Sequence, residues 1–141
     1  MDHELSRARR YKNPFSLIML DLDYFKKIND QYGHPVGDVV LKEVSKVINN
    51  SIRDSDVAAR YGGEKFTVVL TETELKGAAM VAERIRKAVE NLEIATNGLN
   101  IDVTISIGVK CYRPLTDKKD KSEIISEVDN ALYKSKNKGS N

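Results

Sequence analysis

Two carboxylates, Asp21 and Asp23, directly follow a short apolar run, and a helical pattern begins two residues after them. An apolar strand that ends in carboxylates supplies the oxygen ligands that hard cations such as Mg²⁺ prefer. The N-terminus of the next helix offers backbone N–H groups, which suit a phosphate group. For so short a motif, the simpler interpretation is that Asp21 or Asp23 caps the helix.

The segment RYGGEKF, residues 60–66, lies between two strand-like runs. The adjacent Gly62 and Gly63 predict a β-hairpin with a two-residue turn, because the turns that suit hairpins need positive φ angles. This structural role explains both glycines and leaves Glu64 as a charged residue beside a tight turn. Taken alone, the segment is therefore predicted to be structural.

A third candidate is the pair Arg53 and Asp56, three residues apart where a predicted helix gives way to a strand. The planar guanidinium of arginine binds a phosphate or the edge of a guanine base through paired hydrogen bonds. An ordinary solvated ion pair between the two side chains is the alternative interpretation.

The composition limits the classes of protein to which these residues can belong. The chain has 141 residues, of which 23 are basic and 21 acidic, and hydrophobic residues make up 40%. These values fit one soluble domain and argue against a strongly basic nucleic-acid-binding module, so we expect no nucleic-acid partner. Cys111 is the only cysteine, which excludes an intrachain disulfide framework and a cysteine-based zinc site.

The apolar segments are short. The longest, Phe15–Leu20, is far below the ~20 residues that a membrane helix needs. Residues 1–7 lack the apolar core of a signal peptide. We therefore expect a cytoplasmic chain, or the cytosolic part of a larger signalling protein, with no membrane contact by this segment.

Hydrophobic spacing predicts the elements that hold these side chains. A polar, basic helix ends before Pro14, and a small extra strand is expected near Ile94. The remaining elements are a strand at 15–20, helices at 25–32 and 35–52, strands at 57–61 and 65–70, a helix through 78–92, a strand at 103–109, a charged loop at 114–122 and a helix through 124–132. Thr71 and Glu74 are predicted to form a capping box at the start of the helix through 78–92. This order predicts the α+β class, an α/β sandwich with a central, mostly antiparallel sheet flanked by helices.

Five separated segments occur in one order: DLDYFKKIND, GHPVGD, RYGGEKF, TISIGV and DNALYKSK. In this order and spacing they resemble the GGDEF domain of diguanylate cyclases, over residues 6–141. That family joins two GTP molecules into cyclic di-GMP, with one GTP bound by each subunit of a dimer. The resemblance implies a single domain over residues 1–141 that lacks the family's N-terminal segment. It also implies a fold similar to that of nucleotidyl cyclases and polymerase palm domains.

The resemblance further implies roles for individual residues. The ligands of magnesium (or manganese) would be Asp21, the Leu22 carbonyl and Glu64. The phosphates would be bound by Tyr24, Phe25, Lys26 and Lys136, and the guanine base by Asn29 and Asp38. The implied catalytic positions are Asp21, Glu64 and Lys65, and the implied inhibitory product site is Arg53 and Asp56. This set is consistent with phosphoryl transfer, which depends mainly on positioning and charge neutralisation.

Two positions depart from the family pattern. The fourth signature position, usually a glutamate associated with metal coordination, is Lys65, and a protonated lysine cannot bind a metal ion. Strand alternation puts Lys65 on the face opposite Phe66, which leaves open whether its ammonium points into the site. Ser140 stands where the family commonly has an arginine that reaches the terminal phosphate.

Two functional hypotheses follow from these observations. In the first, the domain is a diguanylate cyclase that requires a homodimer and magnesium and is weakened by Lys65 and Ser140. In the second, it is a catalytically degenerate signalling module that binds GTP or cyclic di-GMP. In both, the resemblance implies an upstream sensory domain in the full protein.

Overall fold

The computed structural model describes residues 13–113 and 121–137, and its elements confirm the predicted α+β class. In chain order they are β1 (Phe15–Leu22), α1 (Phe25–Tyr32), α2 (His34–Asn50), β2 (Val57–Arg60), β3 (Lys65–Thr71), α3 (Leu75–Glu90), β4 (Ile94–Thr96), β5 (Leu99–Ile101), β6 (Ile105–Tyr112) and α4 (Lys121–Asn137). The helix predicted before Pro14 and most of the loop predicted at 114–122 lie outside the described residues, as does Ser140. Within those residues, no helix is long and apolar enough to cross a membrane.

The main sheet has the strand order β2-β3-β1-β6, and every pair in it is antiparallel. All eight residues of β1 are buried, which explains why its sequence is an apolar run without polar alternation. The strand extends two residues beyond the predicted end at position 20, so that Asp21 is inside the sheet. Its backbone neighbours there are Lys65 on β3 and Ser106 on β6.

The two faces of β1 belong to two different layers of the core. Ile18, Leu20 and Leu22 pack in the larger cluster, which includes the buried faces of α1, α2 and α3. Leu17 and Met19 pack in the smaller cluster with residues of α4. Because successive side chains of a strand point to opposite faces, Asp21 projects on the α4 side.

The hairpin between β2 and β3 differs from its prediction. The ladder ends at the pair Arg60 and Phe66, and residues 61–64 form the loop. Gly62 and Gly63 have φ angles of 65° and 49°, so the predicted need for positive φ is confirmed, but the two-residue turn is wrong. Hydrogen bonds to neighbouring residues close the longer loop: the Lys65 N–H donates to the Gly62 carbonyl at 3.0 Å.

The predicted capping box is wrong. Thr71 is the last residue of β3, where its N–H donates to Asp56 and its hydroxyl donates to the Ser55 carbonyl. The helix α3 begins after Glu74, whose side chain makes no capping hydrogen bond. The Thr71 groups that a local pattern assigns to the helix cap therefore contact the segment that precedes β2.

One smaller prediction is confirmed, and two element boundaries differ slightly from their predictions. The expected extra strand near Ile94 is present and pairs with β5 in a separate two-stranded sheet. The last strand begins at Ile105 rather than at 103, although Val103 is buried in the core. The helix α4 begins at Lys121, so residues 121 and 122 belong to a helix and not to the predicted loop.

Candidate active site

The C-terminal end of β1 carries a buried carboxylate with one unsatisfied oxygen. Within the described residues, Asp21 Oδ1 has no hydrogen-bond partner, and Oδ2 lies 3.5 Å from Lys136 Nζ. Burial raises the pKa of Asp21, the nearby Glu64 raises it further, and the charge of Lys136 opposes both effects. Buried polar atoms are normally satisfied, so Oδ1 is an oxygen that is available to a ligand.

Asp21, the Leu22 carbonyl and Glu64 fit a magnesium ion in their chemistry. All three supply oxygen ligands, and the loop that carries Glu64 is tied to β1 because the Leu22 N–H donates to the Glu64 carbonyl at 3.3 Å. Over residues 13–113 and 121–137, no group of three or more His, Cys, Asp or Glu side chains forms a metal site. A site with two carboxylates is sufficient for Mg²⁺, which usually binds one or two carboxylates together with substrate phosphates and waters.

Asp23 has a role that the sequence patterns did not predict. Its side chain is fully buried, and its two oxygens accept hydrogen bonds from Thr104 Oγ1 and Ser106 Oγ, each at 2.7 Å. Lys136 Nζ lies 3.5 Å from Asp23 Oδ1, the same distance as from Asp21. Asp23 therefore orients Lys136, and the interpretation of Asp21 or Asp23 as the helix cap is wrong.

The N-terminus of α1 has no side-chain cap. Tyr24 precedes the helix in the left-handed conformation, with a φ of 58°, and the first turn contains no acidic residue. Phe25 is buried, while Lys26 is exposed beside this terminus. The first N–H groups of a helix lack intrahelical partners, so this terminus can accept an anion. The structure thus brings Tyr24, Phe25 and Lys26, three of the four predicted phosphate-binding residues, to the end of the strand that carries Asp21. The fourth, Lys136, reaches Asp21 from α4.

The predicted base-binding residues lie on adjacent helices. Asn29 on α1 packs closely against Gly37 on α2, where a Cβ atom would overlap the Asn29 side-chain oxygen. The next residue, Asp38, is exposed and borders a groove of about 410 Å³. The groove is lined by Asp38, Leu41, Lys42, Ser45, Arg60 and Phe66. Its volume falls within the range of about 300–1,000 Å³ that is typical of small-molecule sites.

Lys65 shares its face of the sheet with Asp21. The two residues are directly paired across β3 and β1, and paired residues project on the same side. Lys65 Nζ lies 3.1 Å from Asp129 Oδ1 on α4. The side chain is therefore on the site's face, but its ammonium is directed to the helix.

Arg53 and Asp56 form an ion pair at the other end of β3. The guanidinium donates to both oxygens of Asp56 at 3.3 Å, and it also donates to the Thr71 carbonyl and to Thr73 Oγ1. Asp56 is buried, whereas the Arg53 side chain is 60% exposed. Because Thr71 and Lys65 are six residues apart on one strand, this pair is about 20 Å from the Asp21 end.

Arg84 was not singled out in the sequence, and it connects α3 to the segment that precedes Arg53. It projects from α3 and donates to the Ser51 carbonyl at 2.5 Å. Ser51 lies two positions before Arg53 in the sequence. The helical periodicity around Arg84 accounts only for the apolar face of α3, so no local signal distinguishes this arginine from other exposed basic residues.

Comparisons with known proteins bear on the family and the fold of this chain. A profile of the family described as "Diguanylate cyclase, GGDEF domain" matches residues 1–141. Diguanylate cyclase A of Treponema denticola is 50% identical over 143 residues, which cover 100% of this chain and 38% of that protein. The chain thus spans about two fifths of the length of that relative.

Two solved structures have the same fold. The active GGEEF domain of a diguanylate cyclase from Vibrio cholerae superimposes with a TM-score of 0.87 at 34% identity, over 98% of this chain and 86% of that one. The GGDEF domain of DgcB from Caulobacter crescentus, in complex with c-di-GMP, superimposes with a TM-score of 0.90 at 31% identity, over 99% and 82% of the two chains.

Proposed function

This chain belongs to the GGDEF domain family of diguanylate cyclases, and we propose that it condenses two GTP molecules into cyclic di-GMP with Mg²⁺ or Mn²⁺. The observation that carries this proposal is the unsatisfied, buried Asp21 Oδ1 near Glu64 at the uncapped end of α1. A buried carboxylate with one unsatisfied oxygen costs stability, and such a cost is typical of functional sites.

In the proposed reaction, the 3′-hydroxyl of one GTP attacks the α-phosphate of the other. The bond from O3′ to the α-phosphorus forms while the bond from that phosphorus to the β-phosphate oxygen breaks. The hydroxyl proton passes to solvent, and pyrophosphate leaves. A bound divalent cation neutralises charge on the triphosphate. Asp21, the Leu22 carbonyl and Glu64 would hold that cation. The backbone at Tyr24 and Phe25, together with Lys26 and Lys136, would orient the phosphates.

Base selection is assigned to the groove that borders Asp38, which is lined by residues of α2, β2 and β3. The Asp38 carboxylate accepts hydrogen bonds, and guanine presents N–H donors where adenine does not. The close packing of Asn29 against Gly37 fixes the amide beside Asp38. Asp38 and Asn29 would therefore favour GTP over ATP.

The second candidate function is a signalling module that binds cyclic di-GMP or GTP without turnover. Lys65 favours it, since an ammonium replaces a carboxylate on the face that carries Asp21. Arg53 and Asp56 would form the ligand site, where the exposed guanidinium binds the base or a phosphate of cyclic di-GMP. Calorimetry with cyclic di-GMP on Arg53→Ala tests this assignment, since an unchanged affinity would remove Arg53 from the site.

The proposed cyclase is a homodimer in the cytoplasm, controlled by a sensory domain elsewhere in the full protein. The length of the Treponema denticola relative supports the proposal of a further, sensory domain, because the matched region is 38% of that protein.

Production of cyclic di-GMP from GTP and Mg²⁺ distinguishes the two functions. The assay compares the unaltered chain with Lys65→Glu, and Asp21→Ala is the inactive control. Product from the unaltered chain establishes the enzyme. Product from Lys65→Glu alone assigns the loss to position 65 and favours the signalling module. Absence of product from both, at concentrations where the chain is dimeric, contradicts the cyclase proposal.

A further inference from the structure

The geometry points to Asp129 as a positioning residue for the proposed metal site, an inference that rests on the proposed function. We infer that Asp129 holds the Lys65 ammonium against α4 and thereby leaves Asp21 Oδ1 available to a divalent cation. Lys65 is the residue by which this chain departs from the usual signature, and Asp129 is its ion-pair partner.

Lys65 is close enough to Asp21 to compete with a cation. Directly paired residues on adjacent antiparallel strands have Cβ atoms about 4.5–5.5 Å apart, so a lysine can reach the carboxylate opposite it. The positive charge of Lys65 also acts to lower the pKa of Asp21. Like charges only a few ångströms apart repel each other, and more strongly where the site is partly buried. An ammonium that turned toward Asp21 would therefore oppose a metal ion there.

Asp129 provides the alternative partner. Its Oδ1 lies 3.1 Å from Lys65 Nζ, and the two side chains are 50% and 35% exposed. Asp129 precedes Lys136 by seven residues, which is about two turns of α4, so both residues project on one side of the helix. The helix thus directs a carboxylate to Lys65 and an ammonium to Asp21 and Asp23.

The contact of α4 with the sheet fixes these positions. A Cβ atom at Gly108 on β6 would overlap the backbone of α4 at Leu132 and Val128, so the helix lies directly on the strand. Asp129 is adjacent to Val128 and therefore cannot move away from the sheet independently of this contact. When Asp129 is neutralised, Asp21 remains as an acid directly opposite Lys65 on the same face of the sheet.

The test measures binding of Mn²⁺ alone to the full chain, by the electron paramagnetic resonance signal of the free ion. Asp129→Asn should weaken Mn²⁺ binding about tenfold. A change of this size is within the range of interaction energies between residues that contact each other. In the Lys65→Gln background, the same change should alter affinity by less than about twofold, because no ammonium remains to be released. Asp129→Glu should retain near-normal binding.

Glu43→Gln is the matched control, since it removes one surface carboxylate from an exposed pair with Lys46 on α2. Thermal denaturation of each variant checks the fold. Equal weakening by Asp129→Asn in both backgrounds would reflect general electrostatics. It would overturn the positioning role of Asp129 and leave the proposed function standing. Unchanged binding by Asp129→Asn would also overturn that role. Failure of every variant to bind Mn²⁺, Lys65→Gln included, would overturn the proposed function as well.

Discussion

At the scale of single residues, the site carries a stability cost. The pKa of Asp21 is raised, chiefly by burial, so the folded state disfavours the charged carboxylate relative to the unfolded chain. Between pH 3.8, the ordinary pKa of the side chain, and the raised pKa of the folded state, the folded state binds more protons than the unfolded state. Above that window Asp21 destabilises the fold, and the penalty disappears as the pH falls through it.

We therefore expect Asp21→Asn to raise the melting temperature at pH 7 in metal-free buffer, because the amide removes a buried charge. The difference from the unaltered chain should shrink as the pH falls toward 4, where the carboxyl group becomes protonated. Calorimetric melting curves between pH 7 and 4 measure this difference. A melting temperature lowered by the substitution at pH 7 would show that the ion pair with Lys136 outweighs burial.

Asp38 is a second residue with a specific expected effect. Loss of hydrogen bonds to a charged group costs about 1.5–3 kcal/mol, so Asp38→Ala should weaken GTP binding roughly 10- to 150-fold. Calorimetric titration with GTP and Mg²⁺ measures the change, and the preference for GTP over ATP should fall in parallel. Asp30→Ala, on the exposed face of α1, is the matched control. An Asp38→Ala protein with normal GTP affinity would remove the guanine assignment.

At the scale of elements, α4 depends on a glycine of the strand beneath it. At Gly108, β6 and α4 approach so closely that an added Cβ would meet backbone atoms that cannot rotate away. Overpacking of this kind typically costs about 1–3 kcal/mol, so we expect Gly108→Ala to reduce the free energy of unfolding by that amount. It should also weaken GTP binding, since Lys136 moves with the helix.

Urea denaturation and GTP titration measure the two effects of Gly108→Ala. The control is Gly77→Ala in α3, where an added Cβ meets only the flexible Thr73 side chain and helix propensity favours alanine. Equal stability losses for the two variants would show that the contact between α4 and β6 is not a specific constraint.

The sequence predicts elements better than it predicts contacts between them. The apolar run of β1 and the stripes of α1 to α4 identify their elements, because burial imposes a local period on the chain. The hydrogen bonds of Asp23 join residues 81 and 83 positions away, and the pair of Lys65 and Asp129 spans 64 positions. No local pattern encodes such partners. The family resemblance identified Asp21, Glu64 and Lys136, but neither Asp23 nor Asp129.

At the scale of the whole molecule, the chain supplies one half of the proposed reaction centre. The N-terminus of α1, which has no side-chain cap, lies at the end of β1 with Asp21 and Glu64, and Asp38 borders a groove on α2. Cyclic di-GMP contains two equivalent phosphodiester bonds, so each of two GTP molecules must supply both a 3′-hydroxyl and an α-phosphate. A two-fold dimer with facing sites satisfies this requirement.

The rate of product formation should therefore depend on protein concentration more steeply than linearly. While the chain is mostly monomeric, mass action makes dimer concentration proportional to the square of total protein, so doubling the protein should raise the rate about fourfold. At concentrations where the dimer dominates, the rate should become linear. Initial rates over a dilution series, with the association state followed by sedimentation, measure both regimes. A linear rate throughout the monomeric range would contradict a centre shared between two chains, because a single chain would then complete both bonds.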